Sequence, residues 1–468
     1  MTQTNHIRQE ADDPVFSKIA WRILPLLVVC YVVAYIDRVN VSLAKLQMLG
    51  DLHMSNTAYG LGAGIFFIGY LLCEIPSNLI MHRVGARYWI ARIMITWGVI
   101  AAAMAFTSHI SAALGFHTGT TVFLVLRFLL GAAEAGFFPG LILYSNYWFP
   151  TNRQGQVFSI LMAAQPVSFV VGLPVSGWLL DRMNNVLGMP GWSWMIALEA
   201  VPAVALGFVV LVMLPNGPKE VRWLNKSEQE RLNEIFAEEN KSRNDAPLSQ
   251  VIRMPQLWMM MLFWFLVVVG VYGINFWLPT LITETGLKSG GTIGFLSAIP
   301  YFFCAIVMIV VARHAEKHAV KHSVIAWAAI LGGVGLVAGA YLGHRGVVMT
   351  ILTMSIAMTG AMTASALFWS LPGTMLSGRA AAAAVATINS IGNIGGFTGP
   401  SILGFVQDYT GSSEAGLLIL GVALVIAGIL AATVLSGYAR AAKAARSLPD
   451  ASSNVTSPNG SPHGSAET

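Results

Sequence analysis

Long apolar stretches dominate this chain of 468 residues, and they limit it to folds that lie in a membrane. A helix of about 20 mostly apolar residues crosses a hydrocarbon core of roughly 30 Å, because it satisfies its own backbone hydrogen bonds where lipid offers none. Only 10% of the residues are charged, whereas soluble domains carry about 25%. Twelve spans are predicted, at residues 20–40, 58–81, 88–107, 120–143, 157–180, 192–214, 256–281, 292–312, 323–343, 347–371, 381–407 and 413–437. We therefore expect an all-α polytopic membrane protein.

The loops between these spans alternate in their content of basic residues. Of the 27 Lys and Arg residues, 21 fall in the loops and tails of one side and only 4 in the loops of the other. Strongly basic loops stay in the cytoplasm. The pattern predicts a multi-pass protein of the inner (plasma) membrane with both termini in the cytoplasm, which requires an even number of spans.

One long polar segment divides the spans into two sets of six. Pro174 lies 21 residues after Arg153, and Pro400 lies 21 residues after Arg379, which is a weak repeat between the sets. Two such halves are typical of transporters with a site near the membrane midplane. The predicted organisation is a cytoplasmic N-terminal tail (1–19), a first six-helix half (20–214), a cytoplasmic central loop (215–254), a second half (255–438) and a disordered cytoplasmic tail (439–468).

Several classes of protein are excluded by the sequence. Cys30, Cys73 and Cys304 all lie in apolar stretches, so neither a disulfide framework nor a CxxC metal site is available, and we expect no metal and no cofactor. The basic residues are spread over many loops, so no nucleic-acid partner is expected. The sequence contains no phosphate-binding GxxxxGK[ST] loop, so transport driven by ATP is not expected. The charges inside the spans include no nucleophile with its base and no metal-ligand set, so an enzyme is not expected.

Ionisable side chains inside the spans carry most of the functional information, because each is costly in a membrane unless it is paired or hydrated. Arg127 and Glu134 are seven residues apart, so they share one face of the fourth span and lie about 10 Å apart along it. Asp37 and Arg38 are adjacent, so they point about 100° apart; one can face a cavity while the other pairs with the fourth span. The intramembrane charges are Asp37, Arg38, Glu74, Arg127, Glu134 and Glu199.

Two interpretations of these charges stay open. They can form an ion-pair network that only holds helices together. Alternatively, the guanidinium groups bind an anion through bidentate hydrogen bonds, while Asp37 and Glu134 take up and release protons. No role is assigned to Glu74 or Glu199. Polar and aromatic residues that complete a cavity or simply pack are Tyr35, Tyr70, Gln165, Tyr272, Asn275, Trp369, Ser370, Asn389 and Asn393.

Five sequence segments resemble the anion:cation symporter family of the major facilitator superfamily. The C-terminal one is INSIGNIGGFTGP at Ile388–Pro400, and the others lie in the first half. The combination is specific, although any one segment alone would be weak. The first-half segments are YIDRVNVSLA at Tyr35–Ala44, FFIGYLLCEIPSNLIMHRVGARYWIARIMITWG at Phe66–Gly98, LRFLLGAAEAGFFPG at Leu126–Gly140 and NYWFP at Asn146–Pro150.

The resemblance implies import of a small organic anion with protons by a monomeric carrier in the lipid bilayer. It implies proton coupling by Asp37 and Glu134, and organisation or binding of the anion by Arg38 and Arg127. The family's loop motif corresponds to Arg83, Gly85 and Arg87, but His82 stands where the superfamily normally has Asp. The positions that match the family's cavity are Tyr35, Tyr70, Gln165, Trp369, Ser370 and Asn389.

Two alternative functions remain at this stage. An anion exchanger would use the same arginines without protons, and a transporter-like sensor would bind the solute without moving it. The substrate is also open, since tartrate, sugar acids and aromatic acids are all compatible with the family. We expect symport of a carboxylate by alternating access of the two halves.

Overall fold

The computed structural model describes residues 14–241, 253–318, 320–369, 371 and 378–435, and within them every regular element is helical. The predicted all-α fold is thereby confirmed. The first half contains α1 (Pro14–Val39), α2 (Val41–Asp51), α3 (Asn56–Val84), α4 (Ala86–Met104), α5 (Thr107–Ala113), α6 (Thr120–Glu134), α7 (Phe137–Ser145), α8 (Thr151–Arg182) and α9 (Gly191–Met213).

The remaining helices form the central segment and the second half. The central helix is α10 (Lys226–Lys241). The predicted C-terminal tail (439–468) and Ser370 lie outside the described residues. The second half contains α11 (Pro255–Thr283), α12 (Gly290–Lys317), α13 (Lys321–Leu342), α14 (Val347–Phe368), α15 (Gly378–Thr410) and α16 (Glu414–Leu430).

Ten helical segments in the described part of the chain are long and apolar enough to cross a membrane, and α4 with α5, bent by 71°, make an eleventh if they count as one span. The consecutive pairs α1–α2 and α6–α7 each count as one segment. Residues 381–407, predicted as the eleventh span, fall in α15, which is not among these segments. The number twelve therefore stays a prediction.

Two of the spans are broken next to the charged residues that the sequence singled out. Helix α1 ends at Val39, directly after Asp37 and Arg38. Helix α6 ends at Glu134, because Gly136 adopts a φ of 81° that side-chain-bearing residues rarely take. A Cβ atom at Gly136 would also lie 2.5 Å from Oγ of Ser77. Both charged pairs therefore include a residue at or next to a point where the helix is interrupted within its span.

The two halves contact each other mainly through α3 with α15 and through α8 with α12. Near the start of α3, a Cβ atom on Gly60 would lie 2.5 Å from the carbonyl oxygen of Pro400. We call this end of the bundle the Asn56 end, and the opposite end, where α3 finishes, the Arg83 end. Close backbone contact of this kind is typical of small residues at helix interfaces in membranes.

The central segment packs against the first half. Nζ of Lys18 in α1 lies 3.1 Å from Glu228 of α10. The guanidinium carbon of Arg22 lies 5.1 Å from the ring centre of Trp223, and Trp223 stacks on Trp148 at 5.8 Å. These contacts attach the central segment to the first half at the Arg83 end.

Candidate functional site

A cavity lies between the two halves. Its lining runs from the middle of the helices toward the Arg83 end, since it includes Trp264 in the third turn of α11 and Trp369 just after α14. Eight of the residues that the sequence singled out line it, namely Tyr35, Arg38, Tyr70, Gln165, Tyr272, Trp369, Asn389 and Asn393. The structure thus brings these residues together, and their roles stay predictions.

Arg38 is the cation of this cavity. It is 8% exposed and forms an ion pair with Glu134 of α6. Its Nη1 donates to the hydroxyl of Tyr272 on α11 at 3.3 Å, and its Nε has no hydrogen-bond partner among the described residues. One guanidinium group thus contacts both halves and the cavity at once.

Aromatic rings surround the guanidinium group of Arg38. Its carbon lies 5.0 Å from the ring centre of Tyr35, 5.1 Å from that of Phe66 and 5.7 Å from that of Tyr70. A cation over the face of an aromatic ring is attracted by the ring quadrupole, more strongly where water is excluded. The rings therefore help to hold the positive charge beside the cavity.

Arg127 takes a different position from the one expected of a substrate ligand. It is fully buried, and its Nε and Nη2 donate to the backbone oxygens of Gly62 and Ala63 on α3 at 3.1 and 3.2 Å. Arg127 is not among the residues that line the cavity. Its contacts fix α6 against α3, and binding of an anion by this residue stays a prediction.

Asp37 is not among the residues that line the cavity. It is 3% exposed and accepts one long hydrogen bond, of 3.5 Å, from Asn40. Glu199 of α9 is also buried and accepts a hydrogen bond from Ser176 through Oε1, while its Oε2 has no partner among the described residues. Asp37 and Glu199 are thus two further buried acids of the first half, and neither is among the residues that line the cavity.

Glu74 is a cavity-side contact that sequence analysis left without a role. Asn389 and Asn393 of α15 donate to its two oxygens at 2.9 and 3.2 Å. Glutamate inside an apolar span was the available signal, but its partners lie more than 300 positions later in the chain. The contact joins the two halves beside the cavity, because Asn389 and Asn393 both line it.

Further lining residues were missed by the sequence analysis. Trp264, Val268 and Val271 follow the helical period along one face of α11, together with Tyr272, and this period is the signal that could have found them. Asn275, by contrast, is 2% exposed and accepts a hydrogen bond from Tyr301 at 2.8 Å, so it is a packed residue. The missed members of the lining are Tyr31, Phe66, Phe67, Phe138, Met162, Trp264, Val268, Val271, Ser365 and Gly392.

The loop motif between α3 and α4 is attached to the end of the first half. Gly85 ends α3 with a φ of 97°, which explains glycine at this position. Arg87 donates to the backbone oxygen of Leu214 at 2.5 Å and contacts Glu220 at 3.3 Å. The pKa of Glu220 lies below its usual range, mainly because its carboxylate accepts a hydrogen bond from the backbone N–H of Asn216. The side chain of Asn216 and the charge of Arg87 lower it further. These contacts fix the loop to residues that follow α9, while His82 hydrogen-bonds Tyr147 at 3.3 Å.

No metal site accompanies the cavity in the part of the chain that the structure describes, since no group of three or more His, Cys, Asp or Glu residues could hold an ion there. The arrangement instead presents one guanidinium group, several hydroxyl and amide groups and aromatic rings to a solute. Such a cavity can bind a small molecule that carries an anionic group.

Comparison with known proteins identifies the family. The family model of the Major Facilitator Superfamily matches residues 27–400. An Agrobacterium vitis protein named provisionally as a tartrate transporter is 42% identical over 91% of this chain and 92% of its own length. A Pseudomonas putida protein named provisionally as the metabolite transport protein NicT is 40% identical over 89% of this chain and 93% of its own.

A solved structure supports the same fold. The structure of a D-xylose-proton symporter has a TM-score of 0.70 and 15% sequence identity, and the match covers 88% of this chain and 97% of that one. The predicted superfamily is thus confirmed, and so is the prediction that the chain is no enzyme, since its relatives are named as transporters. The chain belongs to the Major Facilitator Superfamily and is a multi-pass membrane transporter.

Proposed function

We propose that this protein imports an organic carboxylate anion together with protons, by alternating access of its two halves. The observation that carries the proposal is the position of Arg38, which lines the cavity and is shared between Glu134 of the first half and Tyr272 of the second. Arginine is suited to carboxylates because its planar fork matches two oxygens. Two relatives named provisionally as tartrate transporters, each 42% identical, support a carboxylate substrate.

Competition for Arg38 supplies the coupling in this proposal. Glu134 and the substrate both offer a carboxylate to the same guanidinium group. A proton on Glu134 removes its charge and weakens its ion pair, so that Arg38 can bind the anion. Proton binding and anion binding then favour each other, and by linkage the effect is the same in both directions.

Asp37 and Arg127 complete the proposed mechanism. Asp37 is a buried acid with no ion pair to a described Lys or Arg, and we assign it, with Glu134, to the uptake and release of protons. Arg127 organises the site by fixing α6, and with it Glu134, against α3. Tyr35, Tyr70, Gln165, Trp369 and Asn389 contact the substrate, and Ser370 is assigned to the same group from the sequence alone.

We place the protein in the inner membrane. In the proposed orientation, both termini and the Arg83 end lie on the cytoplasmic side. The distribution of basic residues supports this orientation. Because the halves are in contact at the Asn56 end and the cavity lies toward the Arg83 end, the conformation corresponds to the inward-facing state of a monomeric carrier. In this state the substrate and protons leave to the cytoplasm.

Uptake into proteoliposomes tests the proposal. Purified protein is reconstituted, and uptake of tartrate, a sugar acid and an aromatic acid is measured with the pH lower outside than inside. We expect one of these acids to accumulate above its external concentration and the accumulation to disappear when a protonophore collapses the gradient. Uptake that persists unchanged would indicate an exchanger, and binding without flux would indicate a sensor. Neither binding nor flux of any carboxylate would contradict the substrate class.

A further inference from the structure

Asp181 connects the two halves at the Asn56 end. It lies at the end of α8, and its carboxylate accepts hydrogen bonds from the backbone N–H groups of Gly290 and Gly291 at 2.8 Å each. The hydroxyl of Ser289 donates to it as well, at 2.8 Å. These three groups form the beginning of α12, which belongs to the other half. We call this set the Asp181 contact.

Asp408 makes a corresponding connection between the other two interface helices. It lies near the end of α15, and it accepts hydrogen bonds from the backbone N–H groups of Asn56 and Thr57 at 3.1 and 2.7 Å. The side-chain amide of Asn56 donates to it at 3.0 Å. These groups form the beginning of α3, in the first half. We call this set the Asp408 contact.

The two contacts repeat the same packing in the same register. A glycine precedes each aspartate by four residues, Gly177 in one case and Gly404 in the other. A Cβ atom on Gly177 would lie 2.3 Å from the backbone oxygen of Gly290, and one on Gly404 would lie 2.3 Å from that of Asn56. The glycines therefore permit the backbone approach that brings each carboxylate to the start of the opposite helix.

The partner helices also match each other. Gly60 lies four residues after Asn56, and Gly294 lies four residues after Gly290. Gly60 packs against Pro400, four residues before Gly404, and Gly294 packs against Leu173, four residues before Gly177. The preceding serine caps the helix in both, since Ser55 accepts from the N–H of Ala58 at 3.1 Å and Ser289 accepts from that of Thr292 at 3.3 Å. The unit thus occurs twice, once for each pair of helices that joins the halves.

We propose that Asp181 and Asp408 are gating residues that together hold the Asn56 end closed. A carboxylate is stabilised at the start of a helix, where backbone N–H groups are unpaired and the helix dipole is positive. Hydrogen bonds to a charged acceptor are stronger than neutral ones. Each contact joins one half to the other, so the halves separate at this end only when both contacts break. Hydration of the freed carboxylates and helix ends then stabilises the open state.

The gating role is tested by the distance between the halves, which requires no substrate and no proton gradient, so its outcome does not depend on the proposed symport. Spin labels are placed on the exposed positions Thr118 and Arg345, in the first and second half at the Asn56 end, as Thr118→Cys and Arg345→Cys. The three native cysteines, Cys30, Cys73 and Cys304, are replaced by Ala in this background. Pulsed electron paramagnetic resonance then gives the populations of the short and long distances.

Removing either carboxylate should favour the long distance. We expect Asp181→Asn and Asp408→Asn each to raise the ratio of long to short distances by about tenfold, the effect of losing a hydrogen bond to a charged group, and the double variant to raise it further. Asp51→Asn is the matched control: Asp51 lies at the same end, but it accepts from Nε1 of Trp192, at 2.6 Å, within the first half. Wild-type ratios in both variants, or an equal shift in the control, would overturn the proposal.

A second pair of variants leaves the charges in place. Gly177→Ala and Gly404→Ala put a Cβ atom against the opposite backbone, so both should also raise the long-distance population. Gly155→Ala on α8, where a Cβ atom meets nothing within 4 Å, should not. A label pair within the first half, Thr118→Cys with Asn185→Cys, checks folding by keeping its distance. If folded glycine variants retain the closed distance, the proposal is wrong.

Discussion

The two halves of the bundle differ sharply in where they place charge. All seven buried charged side chains among the described residues belong to the first half, and the buried polar residues described in the second half are uncharged. The Asp181 and Asp408 contacts, by contrast, are repeated almost identically in the two halves. The scaffold is thus symmetric where the halves must separate, whereas the chemistry of the site is concentrated on one side.

Contacts between the two halves follow the same division. Arg38 contacts the hydroxyl of Tyr272, Glu74 contacts two asparagine amides, and Lys45 contacts the side-chain oxygen of Gln407 at 3.3 Å. In each case a charge of the first half meets a neutral group of the second. Breaking a buried ion pair exposes or strands two charges, whereas breaking these contacts affects only one. Neutral partners therefore let the halves separate at a lower free-energy cost.

The largest expected effect comes from the charge that the two halves share. Arg38→Ala leaves Glu134 buried without its cation and removes the group proposed to bind the anion. Loss of one member of a buried pair costs about 3–5 kcal/mol, so we expect uptake to fall by about 100-fold or more. Initial rates in proteoliposomes measure this, with Arg92→Ala as control, because Arg92 stacks on Trp89, at 4.0 Å, and is not among the residues that line the cavity. Uptake near the wild-type rate in Arg38→Ala would contradict the proposed role.

Glu134→Gln tests whether the acid of the first half couples protons to transport. The variant cannot exchange a proton at this position, so we expect accumulation driven by a pH gradient to disappear while exchange of labelled for unlabelled substrate continues. Counterflow and pH-driven uptake are measured on the same vesicles. Asp51→Asn, an acid outside the cavity, should keep both activities. Unchanged pH-driven accumulation in Glu134→Gln would count against the proton assignment.

A smaller effect is expected from the neutral partner in the second half. Tyr272→Phe removes the hydroxyl that accepts from Arg38 at 3.3 Å but keeps the ring. A hydrogen bond to a charged group contributes about 1.5 kcal/mol, so KM for the substrate should rise by about tenfold with pH coupling intact. Tyr147→Phe, whose hydroxyl contacts His82 away from the cavity, serves as control. If Tyr272→Phe lost transport as completely as Arg38→Ala, this would contradict the proposal that the second half contributes only a neutral partner to Arg38.

The smallest expected effect concerns the central segment, which packs against the first half. Glu228 accepts from the N–H of Asn225 at 2.7 Å and pairs with Lys18. The bond from Asn225, helped by Lys18, lowers the pKa of Glu228. A lowered pKa gives stability that is present above the pKa of the unfolded chain, about 4.3, and is lost as the pH falls through the lower folded value.

Glu228→Gln should therefore lower the midpoint of thermal unfolding slightly at pH 7, and the difference from the wild type should shrink below about pH 4. Circular dichroism in detergent over this pH range measures both. Glu230→Gln, at an exposed position of the same helix, is the control. A difference that grows as the pH falls would contradict the assigned contact.

Part of the site could be predicted because the spacing of residues along one helix shows which side chains share a face. Tyr35 and Arg38 are close along the first span, and Glu134 is an acid inside the fourth; in the structure Arg38 contacts both Tyr35 and Glu134. The place of Arg127 could not be predicted in this way. Its spacing from Glu134 gives a shared face, but the groups that it meets are backbone oxygens of α3, which no side-chain pattern reveals.

The sequence alone determined that the chain forms apolar helices in two sets, with costly charges inside the first set. Hydrophobicity and charge act on each segment separately, so these features do not depend on which helices become neighbours. Only the tertiary structure decided that Glu74 meets Asn389 and Asn393, and that Asp181 and Asp408 each bond the start of a helix in the opposite half. Such contacts join residues more than 100 positions apart, and packing between helices, rather than any local preference, sets which of them meet.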